Sequence, residues 1–141
     1  DGTTAWTRDP KGARDAPREV TAEAQSNLDR DVIRLLLAGK DGQMDVRRLS
    51  DGVLEFAGRG VSAVVLAIDP ASFRVAKVSY AAGRGGQVLV EERFTDYRAV
   101  QGVQIPFLAE RRVGAVSITR RVVTIEINRT LDASLFTRPS S

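Results

Sequence analysis

The sequence predicts an α+β fold, a curved antiparallel sheet of about seven or eight strands with one main helix packed on its concave face. Three observations predict it. Apolar residues recur at three- and four-residue spacing in a single stretch ahead of Gly42. Beyond Gly42 the apolar period shortens to two. The gaps between the alternating stretches are too short for the crossovers that parallel strands need. At 141 residues the chain has room for one ordinary domain, so helix and sheet are expected to share a core.

Residues 1–19 are rich in Pro, Gly and charge, with Trp6 as their large apolar group. They read as a short strand over 3–7, anchored by Trp6, followed by a loop. Thr21 is suited to cap a helix and Glu23 to its first turn, while Ala24, Leu28, Val32, Leu35 and Leu36 share one side. The spacing predicts a helix over 22–38, ended by Gly39. Leu28, Val32, Leu35 and Leu36 would turn inward as a lid, with Arg30, Asp31 and Arg34 nearer solvent. Truncating Leu36 to Ala should cost ~2–5 kcal/mol if the helix is structural, and under about 1 kcal/mol if it is instead a mobile lid over a ligand cavity.

Strands are expected over 44–49, 53–59, 61–68, 73–81, 88–94, 103–113 and 116–127. Turn signals separate them at Ser50-Asp51-Gly52, Gly58-Arg59-Gly60, Asp69-Pro70, Gly83-Arg84-Gly85-Gly86, Gln101-Gly102 and Gly114. Alternation puts Val64, Leu66 and Ile68 on one face, and likewise Val78 with Tyr80, Ile105 with Phe107, and Val123 with Ile125 and Ile127. Lys77, Arg112, Thr124 and Glu126 point to the other, wet face. The expected helix, about 24 Å long, is too short to cover a sheet whose strands lie ~4.8 Å apart. Val64, Leu66, Ile68, Val78, Tyr80, Ile105, Phe107, Val123 and Ile125 are therefore candidates to line an apolar ligand site, or else form ordinary core beneath the helix.

The chain has no cysteine and no histidine. That removes thiol nucleophiles, disulfides, thiolate or imidazole metal sites, and the side chain that most often moves protons near neutral pH. Net charge is only +3, and basic residues cluster no further than the pairs Arg47-Arg48, Arg111-Arg112 and Arg120-Arg121. No nucleic-acid partner is expected. No apolar run approaches the ~18 residues of a membrane helix, so membrane contact is expected to be peripheral at most.

The remaining motifs read as turns. Gly58-Arg59-Gly60-Val61-Ser62-Ala63 fits a loose dinucleotide pattern, but a strand follows where a helix N-terminus is needed. Gly83–Gly86 lacks the Lys-Ser/Thr pair of a phosphate loop. Glu91 and Glu92 are adjacent on a strand and face opposite sides, so they cannot work as a catalytic pair. Asp41 and Asp45 lack the further oxygen ligands of a calcium loop. No enzyme activity, cofactor or metal is expected.

Three stretches together resemble the bacterial outer-membrane lipoprotein-sorting (LolA-like) superfamily. They are Asp1-Gly2-Thr3-Thr4-Ala5-Trp6 with Pro10, the run from Phe94 through Asp96-Tyr97 and Gly102 to Pro106-Phe107, and Asn128 with Leu131-Asp132 and Leu135-Phe136. The resemblance implies an incomplete barrel, capped by helices, whose hydrophobic interior receives acyl chains in the periplasm or cell envelope. It implies a non-catalytic domain that binds a lipid or acyl chain. The family has a helix and strands ahead of the Asp-Gly and Trp segment, so this chain resembles its C-terminal part. A second expectation follows, a structural or interaction module of a larger envelope protein. Such a module would use an open sheet edge to form a homodimer or to meet other domains of its parent.

Overall fold

The computed structural model describes residues 5–58 and 61–138. The first half of the strand expected over 3–7, and Arg59 and Gly60 of the Gly58 turn, lie outside the described residues. The described residues form two compact units, one of residues 5–31 with 128–138 and one of residues 32–58 with 61–127.

In the first unit, β1 (Trp6–Asp9) and β2 (Gly12–Asp15) make an antiparallel hairpin where a strand and loop were expected. Asp9 shapes the turn by accepting from the Lys11 N–H at 2.8 Å. Helix α1 (Arg18–Asp29) starts three residues ahead of Thr21, with Pro17 at its N-cap position and no side-chain cap. Thr21 lies inside the helix, and its hydroxyl donates to the Pro17 carbonyl. In the C-terminal tail, Asp132 caps a short 3₁₀ turn, Ala133–Phe136. Arg138 reaches back to the hairpin, pairing with Asp15 at 2.7 Å and donating to the Ala13 carbonyl at 3.1 Å. None of the described side chains of this unit is buried.

The single helix expected over 22–38 is two helices. Residue Arg30 still bonds to Ser26 in α-helical fashion, but the Asp31 N–H takes the Leu28 carbonyl, a tighter turn that closes α1. Helix α2 (Val32–Lys40) then begins in the second unit. The expected stop at Gly39 moves as well. The Gln43 N–H bonds to the Ala38 carbonyl and the Gly42 N–H to the Gly39 carbonyl, with Gly42 at φ +67°. That is a Schellman closure, and it requires the left-handed conformation glycine adopts freely. Gly39 serves another purpose. A Cβ there would sit 2.8 Å from both the Phe56 ring and Val46, so its bare backbone is what lets α2 approach the sheet.

The sheet runs in sequence order and every neighbour is antiparallel. Its strands are β3 (Asp45–Ser50), β4 (Val53–Gly58), β5 (Val61–Ile68), β6 (Val75–Ala82), β7 (Val88–Val100), β8 (Val103–Val113) and β9 (Val116–Arg121). The α+β class and consecutive antiparallel pairing are those expected, and the sheet is open rather than closed into a barrel. Strand β7 joins the strand expected over 88–94 to the one that Asp96–Pro106 predicts ahead of its Gly102 turn, and pairs with β8 through the two-residue turn Gln101-Gly102. Strand β9 is shorter than expected. After Arg121 one more backbone bond forms, Val122 to Phe107, and the chain leaves the ladder.

The core is built by Leu35 and Ala38 of α2 with Met44, Phe56, Val64, Leu66, Val75, Val78, Tyr80 and Val90. The expected inward set is corrected in two places. Leu36 is 39% exposed and Leu28, in the other unit, 51% exposed, whereas Leu35 is fully buried and Val32 packs at the margin. A helix with apolar residues on all sides can bury only the stripe facing the sheet. For α2 that stripe is Val32, Leu35 and Ala38, leaving Ile33, Leu36 and Leu37 outside. Leu35→Ala is accordingly expected to cost about 2–5 kcal/mol in urea unfolding, and Leu36→Ala under about 1 kcal/mol.

Candidate ligand-binding face

Cross-strand partners share a face, so the register defines rows across the sheet. One row reads Phe56, Val64, Tyr80, Val90, Val113, Val116; the next reads Leu54, Leu66, Val78, Glu92, Arg111, Ile118. The first row is apolar throughout apart from the Tyr80 hydroxyl. The second changes from apolar to charged at β7 and returns to apolar on β9.

Helix α2, about 13 Å long, faces a sheet about 29 Å wide at ~4.8 Å per strand spacing. Burial follows that mismatch. Buried residues extend from β4 to β8, and none lies on β9. Val116 and Ile118, in register with the buried rows, stand 59% and 53% exposed.

The candidate lining residues are therefore distributed unevenly. Val64 and Leu66 are fully buried, and Val78, Tyr80 and Phe107 are buried. Ile68 and Ile105 are half-buried. Phe107 lies beneath the Arg98 guanidinium, 4.5 Å from the ring centroid. Val123, 87% exposed, and Ile125 fall beyond the end of β9 and are not part of the sheet. Alternation shows which residues would share a face if a strand continued, not whether a neighbouring strand is there to bond it.

Core positions not anticipated from the sequence are Ala38, Met44, Phe56, Val75, Val90 and Ala109. Val75 has the parity of the wet face. It joins Val78 and Tyr80 because the β5–β6 register slips between Ala67 and Ile68, making Ala76 an extra residue.

Toward β9 a polar cluster stands on the same face. Arg111 donates from Nη2 to the Tyr80 hydroxyl at 2.9 Å. Arg120 of β9 donates from Nη2 to Glu92 Oε1, also at 2.9 Å. Position 111 has the parity of Ile105, Phe107, Ala109 and Val113, a signal already present in the sequence. A second carboxylate-bearing row belongs to the opposite face, where Arg47 pairs with Glu55 and Lys77 with Glu91, each at 2.8 Å. Among the described residues no group of three or more carboxylates forms a metal-holding cluster, and no helix is long and apolar enough to cross a membrane.

Comparison with family models, curated proteins and solved structures returns no match.

The wet face provides a pH test. The hydrogen bond from Lys77, followed by its charge, holds the Glu91 carboxyl below the usual range. A carboxyl with a lowered folded-state pKa stabilises the fold above its unfolded pKa and loses that contribution as pH falls through the folded value. The midpoint of thermal unfolding should therefore drop more steeply between about pH 5 and 3 in the native chain than in Glu91→Gln.

Proposed function

We propose that this chain is a non-catalytic binding domain that takes a lipid or acyl chain on the β8–β9 flank of the core face. The observation that carries this reading is that the apolar rows outrun the helix. Val113, Val116 and Ile118 continue a face whose other members are packed, yet Val116 and Ile118 remain more than half open to water. Large apolar side chains left in register with a core are a ready surface for an apolar partner. The proposed site differs from the one suggested by the sequence, because Val64, Leu66 and Val78 are already buried in the core.

The edge of the same flank supports a second reading. All six residues of β9 are exposed, and its outer side has no strand partner among the described residues. Another chain could add a strand there. Arg120 and Arg121 on that edge disfavour pairing with a second copy, so light scattering should find a monomer.

The ligand reading is tested by titrating the chain with a fluorescent fatty acid and displacing it with unlabelled acids of increasing length. Each buried methylene contributes about 0.8 kcal/mol, so two added carbons should tighten binding by about tenfold until the patch is filled. Ile118→Asp should weaken uptake by at least about tenfold while leaving thermal stability nearly unchanged, because the side chain is largely exposed already. No saturable uptake, or affinity independent of chain length, would refute the reading.

A further inference from the structure

Arg111 stands in a row whose β4, β5 and β6 members are Leu54, Leu66 and Val78 and whose β9 member is Ile118. A guanidinium in that position requires acceptors, since burying an unpaired donor is costly. It has one, the Tyr80 hydroxyl. Its Nε is buried and has no hydrogen-bond partner. The carboxylate beside it on β7, Glu92, is engaged by Arg120 instead. Two guanidinium groups thus face one carboxylate, and the cluster keeps an excess positive charge. Arg111 forms no ion pair among the described residues.

The apolar neighbours give this charge its meaning. Val113 follows Arg111 two residues along on the same face, and Ile118 is its cross-strand partner on β9. An amphiphile lying along Val113, Val116 and Ile118 would bring its head to Arg111. We propose that this site selects an acyl chain bearing an anionic oxygen head, carboxylate or phosphate. The head is received by the outer, exposed Arg120 and attracted by the charge of the inner Arg111 behind it. Guanidinium donors match the paired oxygens of either head group, and a charge-assisted bond in a partly dry site is stronger than one in water. This inference rests on the binding reading above and names the chemistry of the same site.

Dodecanoate, dodecyl phosphate and methyl dodecanoate, each below its aggregation limit, can be compared by displacement of the fluorescent acid at neutral pH. The native chain should bind at least one of the two anions about tenfold or more tightly than the ester. The stronger anion identifies whether the head is a carboxylate or a phosphate. Arg111→Met should bring the preferred anion down to the affinity of the ester while leaving the ester unchanged. Arg120→Gln, at an exposed position, provides the same comparison if Arg111→Met does not fold, and should lose part of the preference. Added salt should narrow the native preference. Equal affinity of acid, phosphate and ester would overturn this inference and leave the apolar reading in place. A preference that survives both substitutions would also overturn it. Absence of binding by all three amphiphiles would remove the binding reading itself.

Discussion

The contact between α2 and the sheet is the constraint on which the larger unit depends. Leu35 and Ala38 enter the core, and the missing side chain of Gly39 lets the Phe56 ring and Val46 come close to the helix backbone. Ordering nine residues as a helix costs conformational entropy, and so short a helix gains little from its own hydrogen bonds. Burial against the sheet offsets that cost, and the Schellman closure at Gly42 fixes where the chain turns into β3. The helix is too short to serve the whole sheet. Buried residues reach β8, and on the next strand Val116 and Ile118 are exposed.

That arrangement separates the face into two regions of different chemistry. Under α2 the rows are packed and contain only apolar atoms apart from the Tyr80 hydroxyl. Toward the open flank they acquire Glu92, Arg111 and Arg120, groups that tolerate water and can exchange partners. The opposite face shows what an ordinary solvated sheet surface looks like in the same molecule. There, Arg47 with Glu55 and Lys77 with Glu91 pair across neighbouring strands, one carboxylate to each cation. The core-face cluster departs from that pattern by an excess guanidinium with a buried, unpartnered Nε, which is why it carries a functional reading and the wet face does not.

Much of the sheet was legible because local chemistry marked it. The expected limits 61–68 and 103–113 coincide with β5 and β8, where β-branched alternation is bounded by Gly and Asp-Pro signals. The helix break was not legible, since Leu28, Val32 and Leu35 keep a helical spacing across Arg30-Asp31 and only the backbone bonding interrupts it. Val75 was hidden by a bulge, which changes parity without changing composition. The long β7–β8 hairpin was partly visible in Gln101-Gly102, but the length of β7 depends on having β8 alongside. The proposed site lies elsewhere than the expected one for the same reason. Alternation identified an apolar face, and only the position of α2 decides which part of that face is core and which is left open.

The most direct test of this account is methyl-resolved NMR of the native chain titrated with dodecanoate. Binding on the open flank predicts chemical-shift changes concentrated at Val113, Val116 and Ile118, with the methyl groups of Val64, Leu66 and Leu35 nearly unmoved. Changes centred on Val64, Leu66 and Leu35, with Val116 and Ile118 unaffected, would mean that the ligand enters beneath α2 and would contradict it.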